Sequence, residues 1–346
     1  MRVSMSADSI APLRRAGCPK RMVYGPCGGV RHDRTCEVEG RPCPFMSGPL
    51  PRWEHDLVPA PADSRLLATL AERPVVVTDL RVRPFDPASI ASVAATLADA
   101  SDAVLVGEHQ SRPDFPASVM ADLARQAGAR PWVTLSCRDR NAVVLRSELE
   151  ALATLGVDGV HCVTGDARGP AASDDATQVF DLDALTLTAL AAEVGLAVSV
   201  AATPVAPPID QRPLRTLDKQ RAGASFAFVN HAGGADAAGR FVAASREAGV
   251  TMPFVACVAV FTDAASAAVL DAFPGLELDR AVVAEVLAAP DPVQAGIEAA
   301  VRQADEMLAI EGVAGVNLSG SATAGPEDES ATIMATIGHR ILDGRR

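Results

Sequence analysis

The residues best suited to chemistry in this chain are polar ones that close short apolar runs. Asp79, Glu108 with His109 and Gln110, Arg138 with Asp139, Asp166, Thr203, Asn230 with His231, Phe261 and Ser319 each stand at or just past such a run. If the runs are parallel strands, these residues gather at one edge of a sheet, where parallel α/β proteins carry their sites. A single acid of this kind serves equally well as a helix cap or a loop ion pair. Several carboxylates converging on a concave mouth suit proton transfer or the stabilisation of positive charge.

A second group lies near the start. Cys18, Cys27, Cys36 and Cys43 follow a C-x8-C-x8-C-x6-C spacing crowded with glycine and proline, as in turns that wrap thiolates around a small centre. Tetrahedral zinc is the favoured reading, an iron–sulfur centre is the alternative, and a loop of unpaired thiols is the plainest one. His32 could replace one ligand. Cys137, Cys162 and Cys257 sit in or just after strand-like runs and read as buried thiols. The chain has only two lysines, Lys20 and Lys219, among 31 basic residues. A chain that otherwise uses arginine can keep lysine where an ammonium is needed.

The elements that must position these groups follow from periodicity. The organising stretch is Trp132 to Asp166, where strand-like Trp132–Ser136 and Gly159–Val163 flank a helical segment. Leu145, Leu149, Leu152 and Leu155 mark that segment's buried face. Strand, helix and strand form a βαβ unit, whose right-handed crossover puts both strand ends on one side. Further strands are expected at Val75–Thr78, Ala103–Val106, Ala197–Ala201, Phe226–Val229, Phe254–Val258 and Gly315–Leu318. Gly156, Gly195, Gly223, Gly249 and Gly312 end helices before them. Eight alternating units predict an α/β fold, a (β/α)8 TIM barrel over 73–346. An open doubly wound sheet is the runner-up, weakened because no Gly-x-Gly-x-x-Gly follows the first strand. Residues 1–48 form the Cys-rich segment. Residues 49–72 are a Pro-rich surface linker ending in a short helix from Ser64 to Glu72. A further helix is expected from Asp279 to Ala288 and an amphipathic one from Asp291 to Ile310, while Asp183, Asp210 and Glu247 are expected to be solvated.

A net charge of −12 and a pI near 5.0 argue against nucleic acid or anionic membranes as partners. No apolar segment resembles a signal peptide or a span, so a cytoplasmic location is expected.

These motifs, in this order, resemble the methylenetetrahydrofolate reductases. The resemblance rests on Cys-Arg-Asp-Arg-Asn at 137–141, Gly165-Asp166, Val179-Phe180-Asp181-Leu182-Asp183, Ala201-Ala202-Thr203-Pro204, and Lys219 through Ala222-Gly223-Ala224, over roughly 74–342. The cysteine segment is similar to the small zinc-binding domain that pairs with such barrels, here placed N-terminally. The resemblance implies reduction of 5,10-methylenetetrahydrofolate to 5-methyltetrahydrofolate with NADH or NADPH through bound FAD. It makes Asp79 the proton donor and Asp166 the group that stabilises the iminium cation. It places folate at Asn230, Phe261, Glu108 and Gln110. The cofactor falls to Cys137, Arg138, Asp139, Thr164, Gly165, Asp166, Ala202, Thr203 and Lys219. The chain departs from the family where Asp79 replaces a glutamate, Asn230 a glutamine, and Thr164 an arginine common among relatives. Tyr24 is its only tyrosine, and Pro204 to Pro208 fill a loop that usually carries histidine. Two other readings therefore stay open: hydride transfer from nicotinamide without flavin, and a non-reductase folate-binding or scaffold subunit whose cysteine segment docks on a methyl-transfer or electron-transfer partner. A homo-oligomer or protein partner through that segment is expected in either case.

Overall fold

The computed structural model describes residues 14–57, 63–108, 112–166 and 177–344. Eight parallel strands pair in chain order and close on themselves. They are β1 (Val75–Leu80), β2 (Ala103–Val106), β3 (Pro131–Ser136), β4 (Gly159–Val163), β5 (Val198–Ala202), β6 (Phe226–Val229), β7 (Phe254–Phe261) and β8 (Val313–Ala322). Closure runs through β1 and β8, with Val75 opposite Gly315 and Thr78 opposite Leu318. Among the described residues it leaves the barrel no open strand edge. The fold is the TIM barrel that the strand count predicts.

A leading helix α1 (Arg65–Glu72) precedes the barrel. The outer layer follows as α2 (Pro87–Leu97), α3 (Ala117–Gln126), α4 (Ala142–Leu155), α5 (Ala184–Val194), α6 (Arg212–Arg221), α7 (Ala235–Glu247), α8 (Ala264–Asp271), α9 (Arg280–Ala288), α10 (Pro292–Leu308) and α11 (Glu327–Asp343). In α4, Leu145, Leu149 and Leu152 are fully buried and Leu155 packs against the same core, as the leucine spacing predicts. Asn141 caps its first turn by accepting from Val144 N–H, and Gly156 ends it in the left-handed conformation. These two residues set where the helix starts and stops.

The barrel interior is apolar at its lower end and polar higher up. Trp132, Phe226, Phe228, Val75, Val77 and Val255 fill the bottom, and Leu66 of α1 covers it. The Trp132 ring lies where a side chain at Gly159 would have to go: a Cβ there would come within 2.3 Å of it. Ser199 accepts from Trp132 Nε1 at 2.7 Å and meets His161 Nδ1 at 2.9 Å. Burial lowers the His161 pKa to about 3, so the imidazole is neutral.

Two expectations are modified. β7 runs on to Phe261 and β8 to Ala322, because the strands keep pairing past the apolar run through an irregular register between Ala259 and Phe261. The stretch before α1 is also more than a surface linker. Trp53 is 1% exposed and packs with Val23, Tyr24, Leu185, Ala189 and Ala222, and Arg52 pairs with the fully buried Asp218 at 2.8–2.9 Å.

Gly338 on α11 tests the tightness of the outer layer, since a Cβ there would lie 2.2 Å from the Ala100 carbonyl oxygen. Gly338→Ala is expected to destabilise by about 1–3 kcal/mol, as overpacking does. An unchanged melting temperature would show that the helix can shift freely.

Candidate functional site

The C-terminal ends of the strands open into a mouth with two lobes. Asn230, Phe273 and Leu276 line both. The larger lobe, of about 500 Å³, lies over β1, β2 and β8 and holds Asp79, Glu108, Arg112 and Ser319. The smaller, of about 230 Å³, lies over β4, β5 and β6 and holds Thr164, Gly165, Asp166, Thr203 and Lys219. Asp79 and Asp166 therefore line different lobes of the mouth, and Asn230 lines both.

Asp79 sits near the end of β1. Its Oδ1 accepts from Asn317 Nδ2 at 3.0 Å and its Oδ2 from the Gly320 N–H at 3.1 Å. Burial raises its pKa despite these donors, so the carboxyl holds a proton more readily than an ordinary aspartate. Glu108 is committed to the framework. It accepts from Ser136 N–H at 3.0 Å, Ser136 Oγ at 2.6 Å and Arg140 Nη1 at 2.6 Å. The Cys-Arg-Asp-Arg run is thus partly a latch: Arg140 holds Glu108, while the buried Arg138 bonds Asp139 at 2.8 Å and the Asp166 carbonyl at 3.3 Å. Cys137 is fully buried beneath it. Gln110 and His109 lie outside the described residues.

Phe261 does not line either lobe. As the last residue of the extended β7 it is 4% exposed and packs among Ala267, Leu270, Leu278, Val286 and Ala299. The aromatic wall comes instead from Phe273, which no periodic pattern marks because it lies in the loop after α8.

The smaller lobe is walled on one side by the chain's own N-terminal segment, through Lys20, Met22, Pro26, Cys27 and Gly28. Lys20 is 2% exposed; its Nζ donates to the Gly165 carbonyl at 2.6 Å and pairs with Glu37. Burial opposes that charge, but Cys27, Glu37 and Asp166 outweigh it and raise the ammonium's pKa. Arg212 clamps the segment by donating to the Pro26 and Cys27 carbonyls at 3.2 and 2.9 Å. Asp183, expected to be solvated, is 2% exposed; it caps α5 and also accepts from the Val23 and Tyr24 N–H groups. Asp210 and Glu247 are exposed as expected. Both lysines therefore line the same lobe. Lys219 donates to the Ala201 carbonyl at 2.5 Å, and burial together with Arg215 and Arg212 lowers its pKa to about 7.

The residues expected to hold a flavin do not fit one while this segment is seated. Thr164 Oγ1 is engaged by Met22 Sδ and the Ala184 N–H, Lys20 takes Gly165, and Gly28 packs so closely on Thr203 that a Cβ would lie 2.7 Å from its methyl. Ala202 is buried in β5. The cysteines do not fit a four-thiolate centre either. Cys18, Cys36 and Cys43 are near enough to act on one another electrostatically, but Cys27 turns toward Glu37 at 3.3 Å, and burial raises its pKa to about 12. His32 meets Glu277 at 3.2 Å. Among the described residues no group of three or more His, Cys, Asp or Glu side chains is arranged to hold a metal ion.

A family model described as methylenetetrahydrofolate reductase matches residues 102–337. Among solved structures, an uncharacterized protein from Clostridium thermocellum that binds two copies of 5-methyl-5,6,7,8-tetrahydrofolic acid is 12% identical. The match covers 81% of this chain and 100% of that one, with a TM-score of 0.58. At that identity the likeness is one of fold. An oxaloacetate acetylhydrolase (12% identical, 75% and 80% covered, TM-score 0.46) and a 2,3-dimethylmalate lyase (11%, 73% and 77%, TM-score 0.45) are more distant. A search of the curated proteins finds no match.

Two measurements check this geometry. Metal content is expected to be equal in the purified protein and in Cys27→Ser; loss of metal in the variant would restore the four-cysteine centre. Lys219 is neutral in the fold above about pH 7 but protonated in the unfolded chain up to its ordinary pKa of 10.5. The unfolded state then binds more protons, so stability rises with pH across that window and is lost as pH falls toward 7. Lys219→Met is expected to flatten that rise in denaturant titrations, and an unchanged slope would place the amine in water.

Proposed function

This chain belongs to the methylenetetrahydrofolate reductase family, and from that premise we propose that its larger lobe binds a reduced folate and reduces the methylene carbon by hydride from NADH or NADPH without a resident flavin. The observation that carries the reading is Asp79, a buried carboxyl with a raised pKa at the wall of a cleft large enough for a pterin. Asp79 donates its proton to a ring nitrogen of 5,10-methylenetetrahydrofolate, and that carbon–nitrogen bond breaks to leave an iminium cation. Nicotinamide hydride adds to the methylene carbon, giving 5-methyltetrahydrofolate and the oxidised dinucleotide. The Asp79 carboxylate left behind is received by Asn317 Nδ2 and the Gly320 N–H. Asp166 offers negative charge across the Asn230 divide while the cation exists. The folate-binding barrel from Clostridium thermocellum supports a reduced folate as the ligand.

A second reading, a folate-binding subunit without turnover, is favoured by one observation. The Lys20 ammonium beside Asp166 partly cancels the charge that the cation needs.

Methylenetetrahydrofolate-dependent oxidation of NADH or NADPH by colourless protein, with no flavin added, is the expected result. Asp79→Asn should lower kcat about 100- to 10,000-fold, the usual worth of a positioned acid, while keeping 5-methyltetrahydrofolate binding. Bound flavin in fresh protein would overturn the direct transfer. Tight binding with no turnover would establish the second reading.

A further inference from the structure

We propose that Asn317 is the positioning residue that governs the proton on Asp79, one half of its amide serving the carboxylate and the other the acid. The inference rests on the reading of Asp79 as proton donor. Asn317 lies on β8, opposite Val77 of β1 and Cys257 of β7, and is 3% exposed. Its Nδ2 donates to Asp79 Oδ1 at 3.0 Å and stands 4.0 Å from Cys257 Sγ. Its Oδ1 is buried with no hydrogen-bond partner. An unpaired buried carbonyl is costly, and native interiors rarely keep one without a use. Here a use lies close at hand. A protonated Asp79 needs an acceptor, and a half-turn of the amide brings Oδ1 to the place Nδ2 now holds. Amide oxygen and nitrogen are close to isosteric, so the exchange needs no other atom to move far.

Among the described neighbours of Asp79, the Gly320 N–H can only donate and so favours the carboxylate. The Ser319 hydroxyl donates to the carboxylate and is the one other group able to accept from the acid, though it is shared with His231. Burial raises the Cys257 pKa to about 12 and lowers that of His231, which reaches Ser319 at 3.3 Å, to about 4. Glu108 is held by Ser136 and Arg140. Arg81 donates to the Thr323 carbonyl at 3.0 Å and approaches Glu327 at 4.0 Å. Arg112 at the rim adds a further fixed positive charge.

The test is the carboxyl titration of Asp79, followed by 13C NMR of aspartate-labelled protein and assigned by its loss in Asp79→Asn, alongside the pH profile of kcat/KM. Asn317→Leu removes both halves of the amide, and a hydrogen bond to the charged carboxylate is worth more than one from the neutral acid. The Asp79 titration and the alkaline limb should therefore both move up by about one pH unit. kcat should fall about tenfold with KM for folate unchanged, the worth of one charge-assisted hydrogen bond. Asn317→Asp sets two carboxyls to share one proton and should move the titration further up. A merely structural asparagine would lower the melting temperature and leave the titration where it was. An unmoved titration in either folded variant overturns the proposal. The two readings also separate: with no turnover in any protein, the titration still decides Asn317, and turnover lost in Asp79→Asn with no shift at Asn317→Leu rejects only the asparagine.

Discussion

An ammonium buried at 2% exposure cannot stand alone, and the partners of Lys20 set the arrangement of the whole mouth. Taking a charge out of water costs several kcal/mol unless it is paired and hydrogen-bonded. Lys20 meets that requirement with Glu37 from its own segment and the Gly165 carbonyl from the barrel. Because one partner lies on each side, the pairing joins the two units. The segment's own core is small, with Met22, Val30, Cys43 and Phe45 at its centre. Such a core gives a short segment little independent stability. Its order depends on docking, through the apolar cluster of Val23 and Tyr24 with Trp53, Leu185, Ala189 and Ala222. It depends equally on the polar clamps of Lys20 on Gly165, Arg212 on two backbone carbonyls, and Asp183 on two backbone N–H groups.

That docking divides the mouth chemically. The lobe over β4 to β6 is walled by the segment's backbone and Lys20, with Arg212, Arg215 and Lys219 also in its lining. In a chain of net charge −12 this concentration of buried positive charge is local. It depresses Lys219 and attracts carbonyl oxygens and carboxylates. The lobe over β1, β2 and β8 stays open, and its carboxyl is shifted the other way, toward the protonated form. One acid whose pKa burial raises and another that faces a cation are suited to different parts of one reaction. The division follows from where the segment sits rather than from the barrel strands, which are similar all round.

Much of the architecture is local in origin and so could be read along the chain. The leucines of α4, the cap at Asn141, the left-handed Gly156 and the strand-length apolar runs each act over a few residues, and each appears where its pattern predicts. Strand order and closure follow, because right-handed crossovers leave the alternating units few other arrangements. The clustering of Asp79, Asn230 and Asp166 around one mouth is legible for the same reason. The shared placement of the two lysines is not, because only the docking of the N-terminal segment brings Lys20 to the lobe that Lys219 lines.

What the order of residues could not decide is which groups face each other across long separations. Lys20 and Gly165 are 145 positions apart, and Asp79 and Asn317 are 238 apart. No periodicity links such pairs, because their meeting depends on barrel closure and on the docking of a segment with little core. Asp183 looks solvated until that segment covers it. Phe261 looks like a mouth residue until two extra pairs of strand register turn it into the outer core, leaving Phe273 to form the wall. The sequence by itself determined the barrel and the ring of polar groups at its rim, because those follow from local pattern and chirality. Only the tertiary structure decided which lobe stays open and which carboxyl has its pKa raised, because burial and charge pairing are properties of assembled neighbours.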